Sequence, residues 1–309
     1  MASDRLFPGG FTPFSDRAGG GCLRYWIGLV LLAACTRAAP PGGNLVVVDD
    51  AGDSVRFDHP ARRVVSLIPA TTEILFAIGD GPVVVGRTHW CDYPAQAAAI
   101  TDVGDGISPN LEAVLARKPD LVVMYRSGSN AAAAAQLRQL GVPTLQFSVD
   151  RLVDVPRVAR ALGKVTGRQG TADSLAAVFI RRLNEVSVAP DSPPLRILIV
   201  SWDQPPMAIG AGSFLSEMVT HAGGVNIFQD LAAPSAQISI EAVVARNPDA
   251  LLVSSDGPPS IASRPEWRTV PAVRDERFIH VTSSAFSRPS PRAPEAILEL
   301  VARFRELRH

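Results

Sequence analysis

The sequence predicts an α/β protein of two related lobes joined by one long helix, and three observations carry that expectation. Short apolar runs alternate with stretches of helical spacing, a nine-residue segment recurs far along the chain, and a long amphipathic stretch lies between the two copies. At 309 residues with 47% hydrophobic composition, the chain is long enough for two domains around a substantial core.

Taken in order, the first element is a hairpin, because residues 45–48 and 55–57 flank the turn Asp50-Ala51-Gly52-Asp53. Residues 64–68 then read as a buried strand, and residues 72–78 as a helix stopped by Gly79, which makes a βα unit. Further strands are expected at 83–85, 121–124 and 144–147. Continuous apolar strands separated by helices argue for a parallel sheet covered on both faces. These elements define an N-terminal lobe over 45–150.

The repeat is the strongest internal signal. Glu112-Ala113-Val114-Leu115-Ala116-Arg117-Lys118-Pro119-Asp120 returns as Glu241-Ala242-Val243-Val244-Ala245-Arg246-Asn247-Pro248-Asp249, with seven of the nine positions identical. Each copy leads into an apolar strand, so a structural duplication explains it better than chance in an Ala-rich chain. Residues 151–194 separate the lobes and hold two helical patterns, 152–162 and then 169–188, punctuated by glycines 163, 167 and 170. A helix over 169–188 reaches roughly 30 Å, enough to bridge two domains. The strand 195–200 opens a C-terminal lobe over 195–309.

The N-terminus carries an export signal. Arg24 precedes the apolar run 25–34, which is too short to span a bilayer as a helix and suits the hydrophobic region of a signal peptide over 1–34. Leu32-Ala33-Ala34-Cys35 resembles a bacterial lipobox, which implies acylation of Cys35 and a lipid anchor on the outer side of the cytoplasmic membrane or in the periplasm. Residues 35–44, with Pro40-Pro41-Gly42-Gly43, read as a tether. Cleavage there leaves Cys91 as a single thiol, so no intramolecular disulfide is expected.

Charge and motifs exclude several functions. Lys+Arg and Asp+Glu balance at 30 each without a basic stripe, which removes nucleic acid as a partner. The five His and three Cys show no metal-ligand spacing, and neither a Gly-x-Ser-x-Gly elbow nor a phosphate-binding loop is present. No cofactor, no metal and no enzymatic activity are therefore expected. His89-Trp90-Cys91-Asp92 offers a base, a thiol and a carboxylate, but adjacent side chains seldom converge on one atom, so a cleft-lining loop is favoured over a cysteine hydrolase. A thiol facing the cleft would be able to touch a bound metal complex.

Aromatic residues make up 6% of the chain, yet Trp90, Tyr125, Trp202 and Phe286 each fall just after a strand, where ligands sit in open α/β sheets. Any one alone is core; together they favour a flat, apolar ligand stacked between two lobes. Arg288 beside Phe286 is either a surface arginine or a grip for an acid or amide of that ligand. Glu112 and Glu241 each follow an N-cap residue, Asn110 and Ser239, and complement a helix dipole. Their symmetry suggests one exposed acid on each lobe, suited to a two-fold partner.

These residues converge on a family. Val64–Glu73 as VVSLIPATTE, Cys91-Asp92-Tyr93-Pro94, Asn110–Asp120 as NLEAVLARKPD, and Ser287-Arg288-Pro289-Ser290-Pro291-Arg292 resemble the helical-backbone (class III) solute-binding proteins of ABC importers, its cobalamin-binding members above all. The resemblance implies two Rossmann-like lobes joined by a single long interdomain helix, and a transported ligand in the cleft, cobalamin or another corrinoid. It implies docking of Glu112 and Glu241 on the dimeric permease, and cleft contacts from Trp90, Tyr125, Trp202 and Arg288. The sequence departs from the cobalamin pattern at Ser284, where an acid is expected, and lacks tryptophans around Pro234-Ser235 and in Gly104-Asp105-Gly106. Haem, with His89 as an axial donor, and ferric siderophores stay open as ligands. A chelatase-like enzyme on similar lobes and a purely structural lipoprotein are the remote alternatives.

Overall fold

The structure is a computed structural model that describes residues 45–189 and 193–308. The expected signal peptide, Cys35 and the tether lie outside the described residues. The chain opens on the antiparallel hairpin β1 (Leu45–Val48) and β2 (Ser54–Phe57). Its turn is held by the Asp49 carboxylate, which accepts from the amides of Ala51, Asp53 and, across the fold, Gln146.

A first sheet follows from β3 (Val64–Ser66), α1 (Pro69–Ala77), β4 (Val84–Arg87), α2 (Leu111–Leu115), β5 (Leu121–Tyr125), α3 (Gly128–Gln139) and β6 (Thr144–Phe147). The helix α1 starts earlier than its apolar pattern suggests, because Pro69 stands at its first turn, where a missing amide hydrogen costs nothing. All four strands of this sheet are parallel, in the order β4-β3-β5-β6.

Between the sheets the chain forms α4 (Asp154–Thr166) and α5 (Gln169–Val186). Gly167 closes α4 in the left-handed region at φ 79°, and a Cβ on Gly163 would stand 2.3 Å from Ala172 Cβ, so that glycine allows the two helices to touch. At 18 residues α5 is about 27 Å long; it packs on α4.

The second sheet contains β7 (Leu195–Asp203), β8 (Pro206–Ile209), α6 (Phe214–His221), β9 (Gly224–Asn226), β10 (Ser235–Gln237), α7 (Ile240–Arg246), β11 (Ala250–Val253), α8 (Pro271–Arg274) and β12 (Phe278–His280), and α9 (Ala293–Glu306) ends the described chain. Its parallel strands run β9-β7-β11-β12. Counted along the chain, the four parallel strands of each sheet are thus ordered second, first, third, fourth. The parallel pairing expected of the strands in the first sheet is what forms there, whereas in the second sheet β8 and β10 add an antiparallel extension to the last part of β7, the chain turning back on itself at Gln204-Pro205.

The repeat has the same local structure in both copies. Asn110 and Ser239 cap α2 and α7 by accepting from Ala113 N and Ala242 N. Lys118 and Asn247 both take positive φ, 48° and 40°. Asp120 and Asp249 accept from the backbone amides of Arg63 and Arg196, and each arginine returns its guanidinium to the carbonyls of the turn it faces.

Strand residues alternate between cores. Val64, Leu121 and Val123 join one large cluster, while Val65, Val122 and Met124 face α2 and α3 on the other side. The large cluster continues without a break through Leu152, Leu162, Ala172 and Phe179 into Ile197, Leu252, Ile297 and Phe304. The described body is accordingly one compact unit. No helix among the described residues is long and apolar enough to cross a membrane.

Candidate functional site

The carboxyl ends of the parallel strands in both sheets open into one cleft of about 810 Å³, the position where open α/β sheets carry ligands. One wall comes from Ile68 and Pro69 at the start of α1, from Trp90 and Asp92 after β4, and from Val149 and Asp150 after β6. The other comes from Ile199, Val200 and Ser201 of β7, Phe214 at the start of α6, the end of β11, and the loop 281–289 after β12. The floor is apolar and the rim is dotted with hydroxyls, among them Ser201, Ser254, Thr282 and Ser283.

The four aromatic residues singled out from sequence take different places. Trp90 is 62% exposed and lines the cleft, with the exposed His89 ring tilted against it at 4.6 Å between centroids. Phe286 is buried in the core and presents part of its surface to the cleft. Tyr125 does not line the cleft; its hydroxyl donates to Asp150 Oδ1 at 2.7 Å and so fixes a carboxylate that does. Burial, and then this bond to Asp150, push the Tyr125 phenol up to about 12. Trp202, 61% exposed, lines a smaller side pocket of about 250 Å³ with Asp203 and Ser260, contiguous with the cleft through Ser201 and Ser254. Its indole Nε1 donates to Gln204 O.

The tetrapeptide 89–92 splits inward and outward. Trp90 and Asp92 face the cleft, whereas Cys91 is buried, its Sγ contacting the hydroxyls of Thr72 and Thr88 at 3.2 Å each. A thiol on the cleft wall, ready to touch a metal complex, is therefore not what this chain presents. The reason is packing: Thr72 on α1 and Thr88 at the end of β4 close over the sulfur.

Arg288 lines the cleft yet is only 7% exposed, and every nitrogen of its guanidinium is engaged with the opposite wall. Nη1 donates to Trp90 O at 2.7 Å, Nη2 pairs with Asp92, and Nε lies 2.9 Å from Glu73 Oε1 as an ion contact outside hydrogen-bond alignment. Glu73, 3% exposed on α1, also receives a fork from Arg292, Nε to Oε2 at 2.8 Å and Nη2 to Oε1 at 2.6 Å. Arg292 in turn lies 3.9 Å above the Tyr93 ring. Glu73 and Arg292 fall inside the sequence motifs quoted above, yet nothing in those motifs assigns them a part in the site.

Glu112 and Glu241 are exposed, each in the first turn of a helix, and neither forms an ion pair among the described residues. The Glu241 carboxyl is held below its ordinary value by its own backbone amide and by Ser239. Among the described residues no three His, Cys, Asp or Glu side chains cluster to hold a metal ion.

Residues 64–285 match the family model described as periplasmic binding protein. The vitamin B12-binding protein of Vibrio cholerae is 30% identical over 243 residues, which cover 77% of this chain and 87% of that one. The ABC transporter substrate-binding lipoprotein YvrC of Bacillus subtilis, itself described as uncharacterized, is 30% identical over 266 residues, covering 82% and 84%. Among solved structures, the periplasmic vitamin B12-binding protein of Vibrio cholerae superposes with a TM-score of 0.67 at 28% identity, covering 81% of this chain and 99% of that one.

Proposed function

The chain belongs to the periplasmic binding protein family, and on that premise we propose that it is the lipid-anchored binding component of an ABC importer that carries cobalamin or another corrinoid. The observation that carries this reading is the cleft of about 810 Å³, apolar at its floor, walled by both sheets and fronted by the exposed Trp90. A corrin ring is broad and flat, and its amide side groups need neutral donors and acceptors around an apolar bed. The B12-binding relatives at about 30% identity support the same ligand.

The other parts of the molecule take their roles from the same reading. Residues 45–150 and 195–309 act as the two lobes, 151–194 joins them, and α5 is the backbone helix between them. Cys35 carries the anchor, supported by its Leu-Ala-Ala-Cys setting and by the lipoprotein description of the Bacillus subtilis relative. Glu112 and Glu241 dock on the two halves of the permease, supported by their exposure and their matched places in the repeat. The protein binds and releases its ligand unchanged, in keeping with a family of transport proteins rather than enzymes.

The test is a tryptophan-fluorescence titration with cyanocobalamin, haem and a ferric siderophore in parallel. Cyanocobalamin should saturate one site per chain, and Trp90→Ala should weaken it about tenfold. Trp202→Ala should weaken it less, because that ring faces the side pocket. Saturation by haem or the siderophore without response to cyanocobalamin would keep the transport role and replace the ligand.

A further inference from the structure

Resting on the reading of the cleft as a chelate site, we propose that it selects metal chelates that carry no free carboxylate and have no coordination position left to fill, and that Glu73 sets the first limit by neutralising Arg288 before a ligand arrives. Among the described residues, three charged side chains line the cleft: Asp92, Asp150 and Arg288. A carboxylate buried in the cleft needs an accessible cation, and among the described residues of the lining Arg288 is the one cation. Its guanidinium is already divided between Glu73, Asp92 and the Trp90 carbonyl, and its Nε is fully buried.

Glu73 is the centre of this arrangement. It holds Arg292 by a two-bonded fork and Arg288 by an ion contact, so that with Asp92 two carboxylates meet two guanidiniums and no net charge remains. Asp150 then tips the cleft wall toward negative. Its carboxylate is kept in place by the Tyr125 hydroxyl. An entering carboxylate would lose its hydration and find repulsion where it needs a partner, whereas an amide finds the hydroxyls of Ser201, Ser254, Thr282 and Ser283.

The second limit comes from the donor set. Among the described residues, the side chains that line the cleft include no His, Cys, Met or Tyr. A haem iron takes its axial ligand from such a group. His89, the expected donor, stands outside the lining and stacks on Trp90. A chelate whose metal brings its own full set of ligands needs none of these.

Matched ligand pairs that differ in charge test the proposal on the wild-type protein: cyanocobalamin against its monocarboxylic acid, and haem against haem dimethyl ester. The amide should bind at least about tenfold tighter than the acid at pH 7, and Glu73→Gln should shrink that ratio about tenfold by releasing Arg288. Glu73→Asp should restore the wild-type ratio, and the more exposed Asp92→Asn should move it in the same direction as Glu73→Gln by less. Equal binding of amide and acid by the wild type would overturn the proposal. So would an unmoved ratio in both Glu73→Gln and Asp92→Asn when circular dichroism shows them folded, or haem bound with the absorption bands of a protein axial ligand. If neither corrinoid binds but the haem ester binds over haem itself, the charge limit stands, while the coordination limit and the corrinoid reading both fall. Failure of all four ligands would remove both.

Discussion

Tyr125 ends β5 with its hydroxyl on Asp150, so it shapes the cleft by holding a carboxylate of the lining rather than by lining it itself. Burial and that bond raise its pKa to about 12. The folded state favours the protonated phenol, so the stabilisation is full below the unfolded value near 10 and is lost as pH rises toward 12. Near-ultraviolet titration should show one tyrosine ionising late, and Tyr125→Phe should remove that step; complete ionisation near pH 10 would contradict it. Trp90 is legible in the sequence because the loop leaving a strand end in an α/β lobe projects into the ligand crevice. Glu73 is not, because its partner Arg292 stands 219 residues away and only the meeting of the two walls brings them together. The sequence leaves Arg288 either on the surface or gripping a ligand; it is buried in the cleft lining, and its prior engagement with three groups depends on contacts that no local pattern records.

At the level of elements, the repeat is the most legible feature, since the nine-residue match predicts a shared helix, turn and strand and both copies form them. The hooks that secure the turns, Arg63 to Asp120 and Arg196 to Asp249, need tertiary placement and are silent in the sequence. One difference between the copies has a measurable consequence. Lys118 adopts positive φ at a position where its counterpart is Asn247, a residue type that tolerates the left-handed region better. Lys118→Gly should therefore stabilise the protein by about 1 kcal/mol in urea unfolding, and Asn247→Gly by less. Equal effects at both turns would contradict the strain argument. The strands β8 and β10 escape sequence reading because both are short and weakly apolar, and their antiparallel pairing depends on a tight reversal after Asp203.

At the level of the whole molecule, the two sheets share one strand order and one continuous core through α4, α5 and α9. Such a core resists wide hinge opening, because separating the two sheets would expose apolar surface buried along α4, α5 and α9. The latch from Glu73 to Arg288 and Arg292 ties α1 to the segment between β12 and α9 at a second place. A cleft held on both sides suits a rigid, flat ligand that enters with small adjustment rather than one that must be enclosed. The measurement that tests this most directly is a crystal structure of the protein grown with cyanocobalamin. The predicted result is a corrin ring in the cleft against Trp90 and Phe286, its amides near Ser201 and Thr282, and Arg288 still paired with Glu73. A cleft without corrinoid under saturating conditions, or a ring bound elsewhere on the surface, would contradict the assignment.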